Sequence, residues 1–186
     1  MDDARLIKTS RFLSKHLRHR PERLGLRLAP GGWVAVDTLL VACAEHGLPL
    51  TRGELDEVVT RNDKQRFAYD PTGARIRASQ GHSVAIDLGL EPTTPPDVLY
   101  HGTSDKTVPS ILKTGLARMR RHHVHLSSDV PTARRVGARH GHPTVFAVDT
   151  AAMRRAGHTF YRSANGVWLV DTVPPQYLHQ IETTAM

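Results

Sequence analysis

EPTTPPD, Glu91 to Asp97, puts three prolines into seven residues. Proline lacks the N–H that a helix interior or a central strand needs, so neither element continues through this run. It reads as a semi-rigid spacer between two domains, residues 1–92 and 97–186.

Upstream of the spacer the pattern is helical. Leu6, Phe12, Leu13 and Leu17 recur at helical spacing. Asp37 is placed to cap a second helix through Leu39, Leu40, Ala42 and Cys43. Thr51 with Glu54 forms a capping box ahead of Leu55, Val58 and Val59. RFAYD and ARIRA then flank Pro71-Thr72-Gly73, as in a β-hairpin. Three helices followed by a hairpin predict a winged helix. Downstream, DVLYHG, VHLSS, TVFAVD, HTFYR and GVWLVD are rich in β-branched and aromatic residues and predict strands. Short helices are expected at Val108 to Lys113 and Pro131 to His140, and Asn165-Gly166 marks a hairpin turn. The fold class is α+β, with a sheet-built second half.

Composition narrows the function. With 39% hydrophobic residues, the 186-residue chain can bury a core and is not a disordered one. Lys and Arg outnumber Asp and Glu by 25 to 18, a formal charge of +7. That excess is either a solvated basic surface or the complement of a polyanion, whose counterions are released on binding. The single Cys43 excludes an internal disulfide and a cysteine-rich zinc site. No apolar run is long enough to span a bilayer. MDDARLIKTS lacks the apolar core of a secretory signal, so a cytoplasmic location is expected, with no membrane partner.

Four clusters carry chemistry. KHLRHRP (Lys15 to Pro21), RIRASQGHS (Arg75 to Ser83), LYHGT (Leu99 to Thr103) and RHHVHLS (Arg121 to Ser127) gather arginine, histidine, glycine and hydroxyl side chains. Forked guanidinium donors with such neighbours suit a phosphate-rich ligand. Each has a plainer reading. Lys15, Arg18 and His19 complement a helix C-terminus, Lys64 and Arg66 resemble surface charges, and Gln80 to Ser83 resembles an ordinary turn. A strand-end histidine such as His101 is usually structural. His123 and His125 would share a strand face, but two histidines make an incomplete metal site, and no metal is expected. No Walker sequence and no GxGxxG is present, so neither a P-loop nor a Rossmann site is supported.

Taken in order, SKHLRHRP, KQRF, IRASQGHS, YHGT, GLARMRRHHVHLS and FYRSANGVWL resemble the RNA 2′-phosphotransferase family, over about Ser10 to Leu178. These enzymes use NAD to remove the splice-junction 2′-phosphate from tRNA. The resemblance implies an N-terminal winged-helix lobe and a C-terminal lobe with the NAD-binding fold of ADP-ribosyltransferases. By motif, the catalytic Arg-His-Arg-Arg set falls on Arg18, His19, Arg66 and Arg121, while Arg120 occupies a variable position. The histidine pair of the NAD fold falls on His101 and His125. The third position, acidic in many ADP-ribosyltransferases, is apolar here, at Val167. His101, Gly102 and Thr103 are implied at the nicotinamide end, Ser110, Gly115 and Leu116 at the adenosine side, and Ser127 beside His125. The implied reaction joins the 2′-phosphate to C1″ of the nicotinamide ribose with loss of nicotinamide. The ribose O2″ then takes the phosphate, giving 2′-OH RNA and ADP-ribose 1″,2″-cyclic phosphate. Two rivals stand beside it: an ADP-ribosyltransferase that caps nucleic-acid phosphate ends, and a non-catalytic winged-helix nucleic-acid binder. A monomer is expected.

Overall fold

The structure, a computed structural model, describes residues 1–62, 64–119, 121–139 and 141–181. The expected helical residue His140, the variable-position Arg120 and the last five residues of the expected second domain lie outside these. The chain divides into two compact units, Met1–Gly89 and Leu90–Met186.

The first unit opens with α1 (Asp3–His19). Asp2 caps it by accepting from the Arg5 amide at 2.7 Å. Leu13, His16 and Leu17 are buried on one face, while Leu6 and Phe12 are half-buried beside them. Pro21 follows and cannot extend the helix. The second helix, α2 (Val36–Glu45), begins differently from expectation. Its N-cap is Ala35, and Asp37 lies inside the first turn. The reason is the strand in front of it: β1 (Val34–Ala35) runs directly into α2, and the Val36 amide donates to Ala74 O at 2.9 Å. A neighbouring backbone takes the place of a side-chain cap. α3 (Arg52–Thr60) carries the capping box read from sequence, with Thr51 and Glu54 bonded reciprocally.

β2 (Phe67–Tyr69) and β3 (Arg75–Ala78) form the expected antiparallel hairpin, and β1 joins it in the order β1-β3-β2. Asp70 closes the turn by accepting from Thr72 Oγ1 and from the Arg75 amide and Nε. Leu13, Leu17, Leu39, Leu55, Val58 and Ile76 fill the core between these helices and the small sheet.

The second unit holds β4 (Val98–Ser104), α4 (Val108–Thr114), β5 (Leu116–Ala117), β6 (Val124–Leu126), α5 (Val130–Gly137), β7 (Pro143–Asp149), α6 (Thr150–Arg155), β8 (Phe160–Arg162), β9 (Trp168–Val170), β10 (Thr172–Val173) and β11 (Leu178–Ile181). All five expected strands and both short helices are present. β11-β7-β4, β6-β9-β8 and β10-β5 make three antiparallel sheets. The protein is therefore α+β. Tyr100 and Ser127 exchange two backbone bonds, of 2.9 and 2.7 Å, and so join β4 to the chain leaving β6. The Asn165-Gly166 turn is not a two-residue mirror turn. Ser163 O accepts from the Gly166 amide, and only Gly166 of this loop takes a positive φ, 78°.

EPTTPPD is not a free spacer. Pro92 bridges Tyr161, the Thr93 amide donates to Phe160 O at 2.8 Å, Thr150 Oγ1 donates to Pro96 O, and the Ala151 amide donates to Asp97 O. Proline cannot donate, but its carbonyl still accepts, so the run lies along the second unit as an edge. Among the described residues no helix is long and apolar enough to cross a membrane.

Candidate functional site

In the first unit, the end of α1 meets the loop that precedes β2. Arg18, half-buried in the last turn, donates from Nη2 to Arg66 O at 3.4 Å. Arg66 donates from Nη1 to Asn62 Oδ1 at 3.0 Å and to Ser10 Oγ at 3.4 Å. Asn62 and Ser10 are 5% and 4% exposed and bond to each other at 2.7 Å. Both of these acceptors are uncharged, and the bonds orient the guanidinium. Asn62 also turns the loop, with its side chain accepting from the Lys64 amide and its carbonyl from the Gln65 amide. Gln65 takes φ 40°, a left-handed conformation that costs energy in a non-glycine residue and is held here by its neighbours. The Ser79 amide donates to Arg66 O and its hydroxyl to Gln65 O, fixing the loop against the hairpin.

The QGHS segment closes the other side. The amides of Ser83 and Val84 donate to Arg18 O, at 2.9 and 3.4 Å, and cap the end of α1. Exposed His19 bonds through Nδ1 to Ser83 Oγ at 2.9 Å. His82 is fully buried, with Gly32 against its ring. Gly81 makes the turn with φ 85°. Ser83 is thus a structural cap as well as a neighbour of His19. Lys64 is exposed.

In the second unit, β4 and β6 bring His101 and His125 together. His101 donates from Nδ1 to His125 O at 3.1 Å. Arg121 Nη1 donates to His125 Nδ1 at 3.0 Å, which puts the proton of a neutral His125 on Nε2. Burial holds the His101 imidazole below its ordinary pKa, and the positive Arg121 adds to this, while the bond to the His125 carbonyl opposes it. Neutral His101 therefore presents Nε2 as an acceptor. Ser127, half-buried, follows within the bridge to Tyr100.

Gly102 and Thr103 continue β4. A Cβ at Gly102 would lie 1.7 Å from Ala133 O, and one at Gly137 would lie 2.5 Å from Thr103 O. The two glycines let α5 lie directly on β4, so Gly102 is a packing residue on its helix side. Thr103 Oγ1 bonds to Thr107 Oγ1 at 2.6 Å.

Ser110, exposed on α4, and Gly115 and Leu116, where α4 passes into β5, lie apart from the histidine pair in sequence and in element. Leu116 is 6% exposed and belongs to the core, and Gly115 lies so close to Val173 O that a Cβ there would be 2.1 Å away. What these two offer a ligand is backbone. Half-buried Val167 bonds through its backbone to Ser163 in the β8–β9 turn.

The expected pair His123 and His125 makes different contacts. His123 precedes β6, approaches Asp171 at 3.8 Å and stacks near Tyr161, while His125 bonds to Arg121. Among the described residues no group of three or more His, Cys, Asp or Glu side chains could hold a metal ion. Sequence reading missed Ser10, Asn62 and Ser79. Each looks like an ordinary surface hydroxyl or amide, and only the tertiary contact with Arg66 and its loop gives it a role.

Comparison with known proteins agrees with the motif order. The model of the RNA 2′-phosphotransferase, Tpt1/KptA family matches residues 4–172. A protein of Trichormus variabilis, named Probable RNA 2′-phosphotransferase, is 63% identical over 181 residues, 97% of this chain and 100% of its own. Proteins of the same name from Streptomyces griseus and Flavobacterium johnsoniae are 56% and 50% identical, over 96% and 91% of this chain and 98% and 93% of their own. With arginines and histidines of the expected motifs set on α1, the β2 loop, β4 and β6, this chain belongs to the RNA 2′-phosphotransferase, Tpt1/KptA family.

Proposed function

We propose that the protein transfers the internal 2′-phosphate of RNA, of the tRNA splice-junction type, to NAD. The products are 2′-OH RNA, nicotinamide and ADP-ribose 1″,2″-cyclic phosphate. The first domain, through residue 92, is read as a winged helix that holds the RNA 2′-phosphate. The second, 97–186, is read as an ADP-ribosyltransferase-like lobe that holds NAD. The observation that carries the reading is the meeting of Arg18 with the Arg66 loop at one end of α1, with Arg66 oriented by uncharged Asn62 and Ser10.

Two guanidinium groups there present forked donors to a dianionic phosphate, and Arg121, in the second unit, is the last member of the catalytic set that the motifs imply. Their fixed charge stabilises the negative charge that develops on the phosphoryl group. His19, exposed at the helix end, contacts the phosphate or moves a proton. NAD supplies a ribose carbon that bears a good cationic leaving group, and so needs no metal to start. The neutral, oriented His101 fits a ribose hydroxyl, which its Nε2 accepts from. His125 and Ser127 lie beside it, Gly102 and Thr103 extend the nicotinamide end, and Ser110, Gly115 and Leu116 extend the adenosine side. Val167 supplies no carboxylate, so it takes no proton from the ribose O2″.

The test is to incubate a 2′-phosphorylated oligonucleotide with and without NAD and identify both products. Dephosphorylated RNA together with the cyclic phosphate, only when NAD is added, is expected. Stable ADP-ribosylated RNA ends would mean an end-capping transferase. Binding without nicotinamide release would mean a non-catalytic nucleic-acid binder.

A further inference from the structure

The solvent face of α1 carries one sign of charge. Lys8, Arg11, Lys15 and Arg18 follow one another at spacings of three, four and three residues. That spacing places them in one row along a helix. The buried residues Thr9, Ser10, Leu13, His16 and Leu17 occupy the opposite side. Lys8, Arg11 and Lys15 are exposed. Among the described residues none of the three side chains has a hydrogen-bond or ion-pair partner.

Other arginines on the helices of the same unit are paired: Arg5 with Glu54 at 2.8 Å, Arg52 with Asp56 at 3.0 Å, and Arg61, at the end of α3, with Glu57 and Asp3. Asp3, the one acid within α1, is engaged by Arg61. The row therefore consists of like charges at neighbouring positions, an arrangement that opposes helix formation unless an anion lies across it. The helix dipole favours cations only in the last turn, so it accounts for Arg18 but not for Lys8 or Arg11. The row runs about 15 Å along the helix axis from Lys8 to Arg18.

We propose that this face is a track for the RNA strand flanking the 2′-phosphate, with Lys8, Arg11 and Lys15 each neutralising a backbone phosphate. The direction of the track, from the helix end toward its middle, rests on the reading of Arg18 and His19 as the 2′-phosphate end. An evenly spaced row of separate cations matches a repeating polyanion rather than a single phosphate or a folded acidic surface.

The test uses the full-length protein, a stripe variant (Lys8→Ala, Arg11→Ala, Lys15→Ala) and a control with the same charge change at exposed positions elsewhere (Arg27→Ala, Arg139→Ala, Arg155→Ala). Alanine keeps the helix propensity. Two probes are used, a 2′-phosphorylated trinucleotide and a single strand long enough to run the whole helix. Binding of the strand is followed by fluorescence anisotropy over a salt series, and turnover of both substrates is measured. The stripe variant should bind the strand at least about tenfold more weakly at low salt. Its slope of log affinity against log salt should be shallower by about two, since each phosphate contact on a single strand contributes about 0.7. Its KM should rise for the strand far more than for the trinucleotide. An unchanged slope, or an equal loss in the control variant, overturns the track. If the wild type turns over neither substrate yet the stripe still sets the salt slope, the track stands and the proposed reaction falls.

Discussion

Arg66 donates to Asn62 and Ser10, and that has a measurable consequence. Asn62→Ala removes the 3.0 Å acceptor of Arg66 and leaves buried Ser10 without its amide donor. The cost to folding should be about 1–3 kcal/mol, that of an unmet buried polar group. Turnover of 2′-phosphorylated RNA should fall about ten- to hundredfold, since small misplacements of a positioning group cost that much. Asn62→Asp should instead keep the geometry and cancel the charge, so KM for RNA should rise most. Steady-state kinetics with denaturant melts will show this, and a fully active Asn62→Ala would remove Asn62 from the site. His101 makes a second residue-scale case. Its folded pKa lies below its ordinary value, chiefly through burial. The unfolded chain then binds the proton first, so this contribution to stability is whole above about pH 6.5 and is lost as pH falls from there toward the folded value. In a histidine NMR titration the His101 ring should titrate below about 6.5, and Arg121→Ala should move it upward by removing the nearby cation. A midpoint at or above the ordinary value would contradict the neutral acceptor.

At the scale of elements, the contact of α5 with β4 is made of backbone on backbone. Gly102 and Gly137 leave no room for a methyl group against Ala133 O and Thr103 O. The obstacle is main chain in both cases, so neither neighbour can turn aside. Gly102→Ala should destabilise the second unit by about 3 kcal/mol or more, an overpacking cost. Thermal unfolding followed by circular dichroism measures it, and a variant within about 0.5 kcal/mol of wild type would mean that α5 shifts freely. The same element pair carries His101 on β4 beside the packing glycine. Its neighbour Thr103, whose backbone faces Gly137, is expected to move with it, so under the proposed function the variant should also hold NAD more weakly.

At the scale of the molecule, each unit has its own buried core. Leu13, Leu39, Leu55 and Ile76 belong to one, Leu99, Leu126, Phe146 and Met153 to the other. Phe146→Ala should therefore open amides of β4 and β7 by about 3–5 kcal/mol, the cost of emptying a large buried site. Amides of α1 and α3 should keep most of their protection, because no residue of their core is changed. Native-state hydrogen exchange resolved by residue decides this. Uniform loss of protection over both units would show a single cooperative fold.

The sequence by itself determined the elements whose signals are local. Thr51 with Glu54 starts α3, Pro21 prevents α1 from going further, and the hairpin around Pro71-Thr72-Gly73 stands where its turn residues predict. The five longer strand patterns are also present, because alternation and β-branching are written residue by residue. Motif order likewise identified the family, and it singled out Arg18, Arg66, His101 and His125. It could not show what holds them. β1, β5 and β10 are two residues long and have no period to read. Asp37 lost its capping role to a backbone carbonyl supplied by the hairpin, and the proline run became an edge of the second unit, with its Thr93 amide donating to β8 and its Pro96 and Asp97 carbonyls accepting from α6. Asn62 and Ser10 lie 52 residues apart, and Gly102 is far in sequence from the Ala133 carbonyl that excludes a side chain there. Such pairings follow from which surfaces meet once the chain has collapsed, and tertiary structure decided them because a buried polar or backbone group must find its partner wherever packing puts one.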